Sequence, residues 1–298
     1  MWRENVRGWM AEEPANVDVA ELRNWMGKME TVTDQITPVP MAALSATLDM
    51  EAPAPKTGDL LPPLWHWLYF LSIHRQSELG PEGHSIKGSF LPPVALPRRM
   101  WAGGRLEFHR PLRIGAAYTR ASRVADVQHK EGRTGPLIFV VVRHEIRGAE
   151  GISLVEEQDI VYRDHAKPGE AMPARQPAPK DAKWERAVRP DDVLLFRYSA
   201  LTFNAHRIHY DWRYATKVEG YPGLVVHGPL IATLLLDLLR RNLPAAEVTR
   251  FSFRAVSALF DTALFWICGR PEPDGKTILL WARNEFGDLA TTATATIK

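Results

Sequence analysis

The second half of the chain repeats the strand pattern of the first, and this repeat constrains the fold more than any other feature of the sequence. The stretch RFSFRAVSALFDTALFWICG, from Arg250, aligns with RLEFHRPLRIGAAYTRASRV, from Arg105, at a constant offset of 145 residues. Arg105 falls on Arg250 and Phe108 on Phe253. In each half a short apolar helix precedes a run of antiparallel strands, which is what duplication of one α+β unit produces. Between the halves, HAKPGEAMPARQPAPKDAKW (residues 165–184) holds four prolines and few apolar residues. It reads as a linker. The expected division is an N-terminal unit at 1–164 and a C-terminal unit at 185–298, each with a helix across an antiparallel sheet.

Within the first unit, residues 1–35 read as an amphipathic helix through Val17, Leu22, Trp25 and Met26, with Asp18 as a start signal. MAALSATLDM (41–50) reads as a short apolar helix after Pro38 and Pro40 break the pattern. The aromatic run LWHWLYFL (64–71) reads as a buried strand. The Gly- and Pro-rich stretch from Ile73 to Gly104 is too long for an idle connection and suits a ligand cover. Strands then follow from Arg105, the last two joined by a hairpin turn at Ala149, Glu150 and Gly151.

Bulk properties exclude several functions. The net charge of +2 is spread over 37 basic and 35 acidic residues, without the concentrated basic face of a nucleic-acid binder. The single cysteine, Cys268, allows no disulfide within the chain and no cysteine zinc site, which fits a reducing cytoplasm. No apolar run approaches the roughly 20 residues that span a bilayer, so neither a membrane nor a nucleic acid is expected as a partner. A homodimer stays open.

The residues that carry chemistry are concentrated in LTFNAHRIHYDWRYATKVEGYPGLVVHG (201–228), where three of the ten histidines fall. Titratable residues gathered just before an apolar helix suit a small acid/base site. An imidazole can take and return a proton near neutral pH, and an amide such as Asn204 can hold a water without acting as a base. Gly228 opens the run LIATLLLDLL, where a helix N-terminus offers free N–H groups and partial positive charge. Surface histidines and an ordinary turn before a helix account for the same residues in a structural reading.

The string T-F-N-A-H-R-I-H-Y-D followed by V-V-H-G resembles the signature of the MaoC-like (R)-specific enoyl thioester hydratases, S-x-D-x-N-P-x-H-x-D and then V-H-G. Thr202 takes the hydroxyl position, Asn204 the catalytic Asp position, His209 the catalytic His, Asp211 the trailing Asp and Gly228 the oxyanion glycine. The sequence departs from that pattern at Asn204 and at His206-Arg207. With PPLWHWLYF, LPRRMWAGGRLEFHRPL, FRYSALTFNAHRIHYD and GYPGLVVHGPL, it more closely resembles the hydroxyacyl-thioester dehydratase type 2 branch over nearly its full length. That resemblance implies a double hot-dog fold and reversible addition of water to an enoyl thioester, with a short branched dicarboxylic enoyl-CoA as the expected substrate. It implies no cofactor beyond the CoA carried by the substrate, and no metal.

On this reading His209 is the acid/base, Asn204 orients water and the Gly228 N–H stabilises the enolate. His206 and Arg207 are candidates for a substrate carboxylate, and Arg250 and Arg254 for CoA phosphates or that carboxylate. His227 is expected to fix the backbone. The first half has no histidine in DQITPVPMAA (34–43), so its expected role is to shape the acyl tunnel, with His66 and His109 outside the chemistry. The rival readings are a fatty-acid-type dehydratase, a hot-dog thioesterase, and a non-catalytic acyl-thioester-binding subunit.

Overall fold

A computed structural model describes residues 18–51, 53–132, 135–164 and 175–298. In chain order its helices and strands are α1 (Val19–Arg23), β1 (Met29–Gln35), α2 (Pro38–Thr47), β2 (Arg98–Phe108), β3 (Ala117–Gly132), β4 (Gly135–Gly148), β5 (Gly151–Arg163), β6 (Trp184–Val188), α3 (Asp192–Leu201), α4 (Trp212–Lys217), α5 (Gly228–Asn242), β7 (Val248–Ala255), β8 (Phe265–Pro271), β9 (Thr277–Arg283) and β10 (Leu289–Ile297). Short 3-10 turns lie at Trp65–Leu68, Gln76–Glu78 and Arg207–His209.

The ten strands make one sheet in the order β1-β3-β4-β5-β2-β7-β10-β9-β8-β6. Outward from the β2–β7 junction, the order in one half mirrors that in the other. At the junction Leu106 lies opposite Phe251, and these two are equivalents under the offset of 145. The repeat therefore closes on itself through its equivalent strands. The junction depends on glycine: a Cβ at Gly103 would stand 2.5 Å from the Phe253 carbonyl oxygen, and one at Gly104 2.8 Å from that of Glu157. Only glycine lets β2 approach both neighbours this closely.

Helix α5 carries the core. Every residue from Leu230 to Leu239 is buried, and the helix packs against β6, β8, β9 and β10. Burial of this length needs compensation at its one acid, Asp237. Arg186, Arg240 and Arg241 all reach that carboxylate, at 3.1, 2.8 and 2.7 Å. Burial alone would raise its pKa, but the hydrogen bonds from Arg240 and Arg241 outweigh it and hold the group below the usual range. Among the described residues the first half has no equal. Its helix α2 buries only Leu44 and Ser45 and packs against α3 of the second half, so among these residues a helix buried along its length across the sheet is found only in the second half.

Several elements differ from the sequence expectation. Residues 29–35 are an edge strand rather than helix, paired to β3. Their alternating burial and the β-branched Thr31, Val32 and Thr33 explain it. Helix does form at Val19–Arg23, with Asp18 accepting from the Ala20 and Glu21 N–H groups. The part of that expected helix at 1–17 lies outside the described residues. Pro38 and Pro40 start α2 rather than break it, since proline suits the first helical turn. The aromatic run is a 3-10 turn, not a strand, because Leu64 (φ 71°) and Phe70 (φ 54°) both adopt left-handed backbone. Strand β2 begins at Arg98, seven residues before the expected start at Arg105. Of the proline-rich stretch, 165–174 lie outside the described residues. Residues 176–178 run along the second half through a Pro177–Asp288 bridge and bonds to Gly287 and Leu289.

Candidate active site

The site is built from the end of α3 onward. Helix α3 closes with the Phe203 N–H on the Ala200 carbonyl and the Asn204 N–H on that of Ser199. This is the Schellman arrangement, with Phe203 in the left-handed position (φ 50°) that glycine usually takes. The reversal aims Asn204 into a cavity of about 1570 Å³ that His84, Arg99, His206, His209 and Gly228 also line. The Asn204 Oδ1 accepts the His206 N–H at 3.0 Å, which leaves its NH₂ facing the cavity side of the turn.

His209 sits on the next short turn and is buried. Its Nδ1 donates to the Val225 carbonyl at 2.7 Å, which assigns the tautomer and leaves Nε2 as the basic atom. Its ring stacks on His227 at 3.7 Å between centroids and meets His206 edge-on at 5.5 Å. Burial lowers its pKa to about 4, against the raising effect of the Val225 carbonyl. Burial, reinforced by the neighbouring imidazoles, also holds His206 and His227 well below their usual range. At neutral pH these rings are uncharged, and His209 presents a lone pair rather than a proton.

His227 precedes α5 and bonds the Ser199 Oγ through Nε2 at 2.8 Å. Ser199 thus ties the two segments of the candidate site together: its hydroxyl holds His227 and its carbonyl holds the Asn204 backbone. Gly228 is the first residue of α5, followed by Pro229, so its N–H has no intrahelical acceptor. A Cβ there would meet only the Trp101 carbonyl oxygen, at 3.7 Å. Packing does not require glycine here; the space it leaves belongs to the cavity.

The arginine expectations need correction. Arg207 does not line the cavity. Its guanidinium is held by Asp211 at 2.7 Å and by the Pro81 carbonyl at 2.9 Å, and lies over the Tyr214 ring. Its N–H binds the Glu82 carbonyl at 2.9 Å. Arg207 therefore clamps the long first-half loop onto the histidine stretch, outside the cavity wall. Arg250 and Arg254 are on the exposed face of β7, alternating with the buried Phe251 and Phe253, and Arg250 faces Glu107. Strand periodicity turns both away from the cavity.

Sequence reasoning missed the contribution of the first half to this site. At Gly83 (φ 96°) a Cβ would fall 1.8 Å from the Ala205 carbonyl oxygen. The glycine lets the loop press against the histidine stretch, and the next residue, His84, comes 4.2 Å from the His206 ring. The Gly-Pro-Glu-Gly-His order around it was the available signal. Deeper in the cavity wall, Glu156 accepts from His66 at 3.0 Å, Trp67 at 2.9 Å and Gln158 at 2.9 Å. Burial pushes that carboxyl up, but His66, His144 and Gln158 outweigh it and bring it to about 2. His109 is exposed, facing Glu107. Among the described residues, no helix is long and apolar enough to cross a membrane, and no group of three or more His, Cys, Asp or Glu is placed to hold a metal.

A twinned sheet around a histidine-lined cavity has clear relatives. The profile of the family described as hydroxyacyl-thioester dehydratase type 2 matches residues 64–261. The mesaconyl-C(4)-CoA hydratase of Chloroflexus aurantiacus is 47% identical over 278 residues, which cover 92% of this chain and 97% of that protein. Among solved structures, a MaoC-like dehydratase superimposes with a TM-score of 0.69 at 15% identity, covering 93% of this chain and 99% of that one. A Mycobacterium tuberculosis protein with a double hot-dog fold gives 0.55 at 14% identity, covering 92% and 96%. The fold is thus the double hot dog, of α+β class. The chain belongs to the hydroxyacyl-thioester dehydratase type 2 family and is a hydro-lyase that hydrates acyl thioesters.

Proposed function

We propose that this protein adds water reversibly to mesaconyl-C4-CoA or a closely similar short, branched, dicarboxylic enoyl-CoA. The likeness to the Chloroflexus hydratase over almost the whole of both chains carries the substrate choice. The open Nε2 of His209, with Nδ1 committed to Val225, supports the chemistry.

In this substrate the carbon β to the thioester bears both the methyl group and the free carboxylate. A water held between the His209 Nε2 and the Asn204 amide loses its proton to Nε2 as its oxygen attacks that carbon. Negative charge develops on the thioester oxygen, where the Gly228 N–H and the positive end of α5 stabilise it. The His209 imidazolium then returns the proton to the α carbon, and dehydration runs the same path backwards. The low proton affinity of His209 suits this cycle, because a proton taken up in a buried site is readily given back. CoA takes part only as the carrier of the acyl group. The first half shapes the tunnel, and a homodimer and a cytoplasmic location complete the proposal.

The test is a panel of enoyl-CoAs followed by loss of enoyl absorbance, with free thiol measured in parallel. Highest kcat/KM on mesaconyl-C4-CoA without thiol release is expected. A preference for crotonyl-CoA or longer neutral chains would remove the dicarboxylic assignment, and thiol release would replace hydration by thioester hydrolysis.

A further inference from the structure

The cationic side chains on the cavity wall have different degrees of compensation. Arg98 is paired with Glu219 at 2.7 Å, and Arg120 faces Glu30 at 3.7 Å. The Lys87 ammonium donates to the Val94 and Leu96 carbonyls. Arg99 is partly buried on β2 opposite Tyr162 and lines the cavity, yet it has no carboxylate partner among the described residues. Its charge acts on His84, His206 and Lys87. The carboxylate that acts on this group is Glu82, felt at Lys87 and Tyr162, and Glu82 is not part of the cavity wall. His84 lines the same wall, and its Nδ1, which has no hydrogen-bond partner, is sealed from solvent on the side away from the open cavity. The His84 ring stands 4.2 Å from that of His206, which is 5.5 Å from that of His209. One wall of the cavity thus gathers an uncompensated guanidinium and two uncharged imidazoles, of which His206 stands a ring's width from the acid/base.

We propose that Arg99, with His84 and His206, is the subsite that receives the free carboxylate of the substrate. This rests on the dicarboxylic reading above and replaces Arg207 in that role. A buried carboxylate needs a cation and several donors, and each neutral imidazole supplies one N–H. An anion held here could in principle be a CoA phosphate. The whole pantetheine arm separates those phosphates from the thioester, however, while the acyl carboxylate is attached to the very carbon that water attacks. The place of His206 in the subsite, beside His209, selects the carboxylate.

The test compares the unmodified protein with Arg99→Met and Arg99→Lys on three probes. Mesaconyl-C4-CoA carries carboxylate and phosphates. Its N-acetylcysteamine thioester keeps only the carboxylate. Crotonyl-CoA keeps only the phosphates and is read by its inhibition constant. For Arg99→Met, kcat/KM should fall about 30-fold or more on both carboxylated thioesters, and at least ten times more than the affinity for crotonyl-CoA falls. Arg99→Lys should recover part of that loss, and His84→Gln should show the same substrate pattern more weakly. Circular dichroism and Tm establish that each variant is folded. Losses confined to the two CoA esters would assign Arg99 to a phosphate, and equal losses on all three probes would make its role structural; either result overturns the subsite while the dicarboxylic reading stands. If the unmodified protein itself prefers crotonyl-CoA, that reading fails and the subsite with it.

Discussion

Two buried polar clusters face the same cavity, and they are bonded in opposite ways. In the first half, Glu156 sits at the centre of donors from His66, Trp67 and Gln158, while His144 turns its Nδ1 to Ser122. In the second half, His206 has no side-chain hydrogen bond among the described residues. His209 uses one nitrogen, and the Nδ1 of His227 is buried without a partner. A saturated network rigidifies a core, whereas open donors and acceptors in a buried site are costly unless a ligand or water completes them. Both clusters contain buried histidines, so burial does not distinguish structure from chemistry. The unfilled valence does.

The sharpest way to break this comparison is His209→Ala. It should lower kcat by roughly 10²- to 10⁴-fold with little change in Tm; near-normal turnover would remove His209 from the chemistry. The converse is Glu156→Gln, which breaks the saturated network. It should cost about 3–5 kcal/mol of stability in a denaturant titration, with kcat of the folded fraction nearly retained. A kcat collapse in a protein of normal stability would move the chemistry into the first half.

Acid should act on the buried histidines and on Glu156 in different windows. The histidines whose pKa values lie below the unfolded value of roughly 6.5 are His84, His206, His209 and His227 at the site and His144 deeper in the first half. As pH falls through 6.5, the unfolded chain binds protons that the native imidazoles do not, so stability declines from there toward the native pKa of about 4 for His209 and His144. Glu156 is depressed instead, to about 2. Its contribution is intact above the unfolded carboxyl range and is lost only at lower pH, as the solution nears that value. Urea titrations between pH 7 and 4 check the order. The kcat/KM profile should hold on the acid side until pH approaches the His209 value, because only then is the base protonated.

The smallest effect in stability is the most telling in direction. Gly228→Ala meets no crowding beyond the Trp101 carbonyl, and should stabilise the fold by about 0.4–1 kcal/mol through the unfolded chain. The same methyl stands where the thioester must approach the N–H, so kcat/KM should fall. A rise in both would mean that the glycine is only a helix start.

The repeat at offset 145, the hairpin at 149–151, the α5 leucines and the histidine stretch were legible in the sequence because each depends on local pattern: strand alternation, turn residues, helix periodicity and a contiguous motif. The family resemblance added the reaction class. The misread elements were those whose conformation is set by distant partners. Residues 29–35 read as helix until β3 pairs with them, and the two left-handed residues around the aromatic turn leave no periodic trace. Arg207 lies within the motif, so sequence proximity placed it at the substrate, while Asp211 and the Pro81 carbonyl draw it away. His84 and Arg99 precede His209 by more than a hundred residues, and the loop clamp and the β2–β7 junction bring them to the cavity. A duplicated α+β chain with its candidate acid/base in the second half can be read from local pattern alone. Which charges remain uncompensated beside it follows from the folded arrangement, because compensation depends on neighbours in space that no local pattern specifies.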